Sequence, residues 1–227
     1  MNSNPISSGD WYGSHYSSIN VSADSSSTAF RILHKFLEVG FKKNNELRIL
    51  EVGANIGEHV PFVETPWRSY IATDIRMPAN EIVENLKRNL VRFEIADVHN
   101  LPFPDGSFER VIVTCVFHHL QDPTKAIREI IRVTANDGVI TILLPNDPSI
   151  AYRFTRALTT LRRARRANLL REVQLAHAVE HRNHFLSLKE IIMSQAKEYH
   201  PRFISFPFRF PFYNINLISK IIINKKS

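Results

Sequence analysis

Glu51-Val52-Gly53-Ala54-Asn55-Ile56-Gly57 decides how this chain is read. An apolar run (Leu47, Ile49, Leu50) precedes it, and a segment compatible with a helix follows at 56–63. A strand that turns through glycines toward a helix brings backbone amides and a helix N-terminus close to a ligand. Two acidic residues stand in comparable places: Asp74 after Tyr70-Ile71-Ala72-Thr73, and Asp97 after Val91-Arg92-Phe93-Glu94-Ile95-Ala96. Three polar strand ends in succession imply a nucleoside-shaped ligand lying across the carboxyl edge of a parallel sheet.

Outward from that turn the texture is regular. Strand-like runs at 48–53, 69–74, 91–96, 109–116 and 138–144 alternate with helix-like stretches at 56–63, 79–89 and 121–134. Near-continuous Val, Ile and Leu in the strands indicates a doubly buried parallel sheet, and right-handed crossovers place all its carboxyl ends on one edge. Residues 28–39 put Phe30, Leu33 and Leu37 on one helical face, with Ser26 or Ser27 as N-cap. The first 27 residues, rich in Ser and Asn, read as an irregular lead-in. After Pro145-Asn146-Asp147-Pro148 the alternation stops. Residues 149–200 read as two or three helices, and 203–210 and 215–223 as a closing pair of strands. That pair is expected to be antiparallel, because its link is too short for a crossover.

At 227 residues, 44% hydrophobic and 22% charged, the chain suits one α/β domain with a real core. A single cysteine, Cys115, excludes an internal disulfide framework and suits a reducing compartment. The N-terminus lacks the basic flank and apolar stretch of a signal peptide, and no apolar run approaches the ~20 residues that span a bilayer. A cytoplasmic location is therefore expected. The formal charge is +7, and Arg153, Arg156, Arg162, Arg163, Arg165, Arg166 and Arg171 fall in one window without an acidic residue. Such a block attracts anions: a phosphate-bearing substrate, an anionic lipid surface with Leu158, Leu161, Leu169 and Leu170 as its apolar face, or RNA. A merely solvated helix face is the plain alternative.

The ordered set of motifs resembles the class I S-adenosylmethionine-dependent methyltransferases of the group acting on small molecules and lipids. Glu51-x-Gly53-x-Asn55-x-Gly57 is similar to that family's acidic, glycine-rich turn; Asp74 and Asp97 match its acids after strands two and three. Leu101-Pro102-Phe103-Pro104-Asp105-Gly106-Ser107-Phe108 and Val116-Phe117-His118-His119-Leu120 resemble its later phrases. Asn55 departs from the pattern by replacing the middle glycine, although asparagine tolerates left-handed backbone better than most residues. The resemblance implies a Rossmann-like α/β fold: a doubly wound, mostly parallel seven-stranded sheet with an antiparallel C-terminal strand pair and a helical cap. It divides the chain into a lead-in and lid helix (1–45), a cofactor-binding core (46–148), a helical substrate cap with the arginine block (149–200) and a closing strand pair (201–227).

The implied cofactor is S-adenosyl-L-methionine. Its amino-acid end would sit over Gly53, Ala54, Asn55 and Gly57, with Glu51 near the amine. Asp74 would take the ribose hydroxyls and Asp97 the adenine amine, while Ile75 or Val98 packs on the ring and Thr114 helps to line the site. The candidate catalytic groups are His118, His119 and His181, with capping of backbone groups as the plain alternative for the first two. His177, His181 and His184 are spaced for one helical face, on which a substrate contact or base is weighed against a solvated polar surface. No metal centre is assigned. Cys115 reads as a buried structural thiol. The implied activity is methylation, most readily at oxygen, of a small-molecule, lipid-linked or nucleotide-linked acceptor that an arginine-rich segment could hold if anionic. Peripheral membrane contact fits the same segment, and Tyr12 and Tyr16 are candidates for the lid. The alternatives are an RNA methyltransferase whose arginines grip the backbone, and a non-catalytic binding module of the same fold.

Overall fold

A computed structural model of the chain describes residues 27–41, 43–210 and 212–225. Seven strands form one sheet in the order β3-β2-β1-β4-β5-β7-β6. They are β1 (Leu47–Val52), β2 (Trp67–Asp74), β3 (Val91–Ile95), β4 (Phe108–Thr114), β5 (Thr134–Pro145), β6 (Arg202–Phe206) and β7 (Ile218–Asn224). The first five pair in parallel, while β7 runs antiparallel to both β5 and β6. The chain winds outward in both directions from β1 and β4, so a crevice opens beyond their neighbouring carboxyl ends. The expected fold class is observed.

Period-two alternation assigns the two faces. Leu50, Val52, Val111, Val113, Ile140 and Ile142 face α3 (Pro123–Val133) and α7 (Phe185–Gln195), which contribute Ile127, Ile130, Leu188 and Ile192. Leu47, Ile49, Tyr70, Ile112 and Leu143 face α1 (Thr28–Glu38) and α2 (Asn80–Arg88), through Leu37 and Leu86. α3 starts where the sequence dictates: Asp122 accepts the Lys125 amide at 2.9 Å, and Pro123 fills the first turn. One expected helix does not form. Residues 56–63 make turns and a single 3-10 turn, Val60–Phe62, which includes Pro61, before the chain extends again at Val63. Proline removes an amide that a longer helix would use.

The segment beyond β5 holds four helices rather than two or three: α4 (Ile150–Leu158), α5 (Thr160–Arg166), α6 (Leu170–Glu180) and α7. β6 ends at Phe206, before Pro207, so the closing pair is shorter than the sequence suggests. Buried Asn216 organises the connection, accepting the Phe208 amide and donating to the Phe210 and Phe212 carbonyls, each at 2.9 Å.

The face under α1 carries a buried polar chain that the apolar texture of the sequence conceals. Arg110 on β4 donates to Glu38 at 2.6 Å, and its guanidinium stacks 3.6 Å over the Phe41 ring. His59 Nε2 lies 2.8 Å from the same Glu38 oxygen, and His59 Nδ1 lies 2.8 Å from His34 Nδ1. A carboxylate only accepts, so His59 donates through Nε2, which leaves Nδ1 to accept from His34. Lys220 on β7 donates to the Phe36 and Val39 carbonyls at 2.8 and 2.7 Å, closing the C-terminal end of α1; burial lowers its ammonium to about 8.

Burial, then the neighbouring His59, lowers His34 to about 3. Burial likewise brings His181, at the sheet's carboxyl edge, to about 4. An unfolded histidine titrates near 6.5, so the unfolded chain binds more protons from there down to the folded values, and stability falls with pH through that window. At pH 4.5 the loss is expected to be on the order of 2 kcal/mol per histidine relative to pH 7.5. Urea unfolding at the two pH values measures it; equal midpoints would show that neither imidazole is held neutral.

Candidate functional site

The turn after β1 is built by its unusual backbone. Gly53, Asn55 and Gly57 have φ of 70°, 51° and 77°. Asn55 thus adopts the left-handed conformation for which its side chain is suited, and it also donates to Glu58 at 3.2 Å. A Cβ on Gly53 would lie 2.1 Å from Val116 Cγ2, in the segment following β4. Gly53→Ala is therefore expected to cost about 2–4 kcal/mol, combining backbone strain and overpacking. Adding Val116→Ala should restore the packing part alone in thermal melts; an unchanged midpoint for the single variant would refute the close approach.

Asp74 at the end of β2 is tied directly to this turn: its Oδ2 accepts the Asn55 amide at 3.0 Å, and its Oδ1 the Arg76 amide at 3.3 Å. Asp97, after β3, accepts the His99 amide at 2.9 Å and lies 2.7 Å from His99 Nδ1, contacts that hold its carboxyl below the usual range. Ile75 is exposed beside Asp74, whereas Val98 is buried in the core. Glu51 lies elsewhere. It is buried, its Oε2 accepts the Tyr70 hydroxyl at 2.6 Å, and burial raises its carboxyl above the normal range. Its carboxylate therefore faces the polar chain under α1, while its backbone carbonyl accepts the Thr73 hydroxyl.

The ends of β4 and β5 form the other half of the crevice. Cys115 has φ of 57° and burial pushes its thiol up to about 12, which agrees with an inert structural thiol. His118 and His119, in the 3-10 turn Phe117–His119, meet His181 at the end of α6; ring centroids lie 3.9 Å (118–119), 4.4 Å (118–181) and 5.4 Å (119–181) apart. Three residues singled out from two distant parts of the sequence are thus brought together. Asn183 fastens the junction by donating to the Leu120 carbonyl at 2.6 Å, and the Arg182 amide donates to the His118 carbonyl at 2.9 Å.

Asp147, just beyond β5, lies in the Pro145–Pro148 stretch at which the strand-helix alternation stops, and the sequence gives it no role of its own. Its Oδ2 accepts His181 Nδ1 at 2.9 Å and lies 3.1 Å from His177 Nε2. Burial opposes its ionisation, but these two histidines hold its carboxyl well below the usual range. Extending the polar-strand-end rule from strand three to strand five would have found it. Arg156 on α4 also approaches Asp147, which separates it from the rest of the arginine block. His184 does not join its trio, because α6 ends at Glu180 and His184 is an exposed cap of α7. Leu161, Leu169 and Leu170 pack around Ala164 and Val173; only Leu158 of the expected apolar face stays exposed. Trp11, Tyr12 and Tyr16 lie outside the described residues.

Among the described residues, Thr114 Oγ1, His118 Nδ1 and Asn146 Nδ2 are buried without a hydrogen-bond partner, and all three lie just past or at the carboxyl ends of β4 and β5. Buried polar atoms are nearly always satisfied, so three orphans at one edge make it the candidate site for a polar ligand. The Asp74-bound turn adjoins the same edge, because Gly53 closely approaches Val116 in the segment following β4.

Comparison with known proteins agrees. A family profile described as a methyltransferase domain matches residues 50–142. The chain is 33% identical over 127 residues to the uncharacterized methyltransferase YcgJ of Bacillus subtilis, covering 52% of this chain and 49% of that protein. It is 31% identical over 122 residues to the malonyl-[acyl-carrier protein] O-methyltransferase of Geobacter sulfurreducens, covering 52% and 46% respectively. The chain spans about half the length of these curated relatives. The solved structure of an S-adenosylmethionine-dependent methyltransferase from Mesorhizobium loti superimposes with a TM-score of 0.57 over 83% of this chain and 95% of that one, and its 14% identity makes this a likeness of fold. Residues 50–142 thus match a methyltransferase domain, and the strand order, glycine turn and acid after β2 support a class I S-adenosylmethionine-dependent methyltransferase.

Proposed function

We propose that the protein methylates a hydroxyl group on an anionic, lipid-linked or nucleotide-linked acceptor. The observation that carries this reading is the close approach of Gly53, in the Asp74-bound turn, to Val116, two residues before the histidine cluster begins. Bound S-adenosylmethionine supplies an electrophilic methyl group on a sulfonium. Asp74 would hold the ribose hydroxyls, with Asp97 near the adenine amine and the 53–57 amides at the amino-acid end. Cys115, held neutral by burial, would add no anion beside the sulfur, where negative charge would stabilise the ground state more than the transition state. Alignment in a dry pocket can lower the barrier by as much as ~10 kcal/mol. The histidine cluster is where the acceptor hydroxyl would become nucleophilic: burial lowers the pKa of His118, His119 and His181, so all three imidazoles are neutral at pH 7 and carry lone pairs.

The acceptor class is supported by an exposed apolar stripe, Ile150, Phe154 and Leu158, at helical spacing on α4. α4 packs against the Tyr213–Ile215 turn, which follows exposed Phe208, Phe210 and Phe212. Exposed arginines at 153, 162, 163, 165 and 166 flank the stripe. Apolar rings beside guanidiniums suit an anionic headgroup on an apolar tail better than a bare polyanion. The test is release of S-adenosylhomocysteine with a phosphate-linked saccharide presented in anionic vesicles, in nucleotide-linked form, or replaced by RNA. Turnover of the lipid-linked form, reduced by Phe154→Ser without a change in cofactor affinity, is expected. Turnover of RNA alone, with steep salt dependence, would overturn the assignment.

A further inference from the structure

The histidine cluster has more order than a set of packed rings. His181 Nδ1 lies 2.9 Å from the Asp147 carboxylate and His119 Nδ1 lies 3.1 Å from the Glu180 carbonyl. Both oxygens are pure acceptors, so both Nδ1 atoms carry the proton and both Nε2 atoms carry a lone pair. His118, 4% exposed, adds a third imidazole whose Nδ1 is buried without a hydrogen-bond partner. One ring nitrogen from each of His118, His119 and His181 falls within 4.8 Å of the other two.

We propose that His118, His119 and His181 bind a divalent transition-metal ion, of the zinc class, at the carboxyl edge of β4. Three imidazoles leave a tetrahedral ion one open position, the pattern of sites that bind water or substrate. Each supporting contact belongs to a metal-binding histidine: Asp147 behind His181 and the Glu180 carbonyl behind His119 fix tautomer and ring orientation. Tetrahedral coordination at ~2.1 Å requires the three nitrogens to draw closer together, which rotation of the His118 and His119 rings can supply. The sequence shows no metal motif because the ligands come from segments 62 residues apart, joined only where Asn183 ties the α6–α7 link to the 3-10 turn. Where the ion and the methylation reading both hold, the open position binds the acceptor hydroxyl, and the ion lowers its pKa so that its proton passes to bulk water. Metal binding itself does not depend on that reading.

Chelator-stripped full-length protein titrated with ZnCl₂ in a calorimeter tests the site, with Co²⁺ absorption as an independent report of four-coordinate geometry. One ion per chain is expected, with affinity reduced at least ~100-fold in His118→Ala and His119→Ala and about 10–100-fold in Asp147→Asn. His184→Ala, at an exposed histidine outside the cluster, should bind as the parent does. Circular dichroism confirms folding, and His118→Gln, which keeps a polar side chain, should lose the ion as well. No binding by the parent, or parent-like binding by the His118 and His119 variants, overturns the proposal. So does loss in His177→Ala with His118→Ala unaffected, which would move the ion to Asp147, His177 and His181. Intact cofactor binding without zinc binding removes the metal and leaves methyl transfer standing; the reverse result removes only the latter.

Discussion

Glu38→Ala is expected to destabilise the protein by about 3–5 kcal/mol, the largest effect of any single side chain considered. Arg110 is fully buried on β4, and Glu38 is the carboxylate that meets it, at 2.6 Å, among the described residues. Two further guanidinium nitrogens, Nε and Nη1, have no hydrogen-bond partner there. Removing Glu38 would leave a buried cation over the Phe41 ring with no hydrogen-bond acceptor among the described residues, and would also deprive His59 of its acceptor. Replacing both members with methionine should recover most of the loss, because the cost lies in the uncompensated charge rather than in the missing pair. Chemical denaturation measures both. A loss below about 1 kcal/mol for Glu38→Ala would mean that water reaches Arg110 or that the guanidinium reorients.

Asp74→Ala is expected to weaken S-adenosylhomocysteine binding by about 100-fold or more. A carboxylate accepting from both ribose hydroxyls makes charged hydrogen bonds worth about 1.5–3 kcal/mol each, and tenfold in affinity is about 1.4 kcal/mol. Part of the effect is local, since Asp74 also accepts the Asn55 amide and so holds the turn. Asp74→Asn separates the two contributions. Its amide oxygen can keep the Asn55 contact, so an affinity between those of alanine and the parent is expected. Parent-like affinity for the alanine variant would place the ribose elsewhere.

The parallel core was legible because doubly buried strands announce themselves as unbroken apolar runs ending in polar residues. That rule puts Glu51, Asp74 and Asp97 at or just past the ends of β1, β2 and β3, and Asn55 takes the left-handed backbone that its residue type suits. It could not show which way a side chain turns. Glu51 sits at the predicted place in sequence yet faces α1 from within the core. Helical spacing failed for His184 because α6 ends three residues after His177, and spacing alone does not contain a helix end. The polar chain of His34, His59, Glu38 and Arg110 was invisible, since each member stands in an otherwise ordinary amphipathic or apolar segment. Association of His118 and His119 with His181 depends on how the end of α6 docks on the turn after β4, a tertiary fact with no local signal.

The central claim is that the loops following β1, β2 and β3 converge on one adenosyl ligand. A crystal structure of the S-adenosylhomocysteine complex tests it most directly. The account predicts ribose hydroxyls within hydrogen-bonding distance of the Asp74 carboxylate, adenine beside Asp97 and Ile75, and the sulfur facing the Thr114–Val116 end of β4. A ligand bound elsewhere, or a ribose with no contact to Asp74, would contradict it.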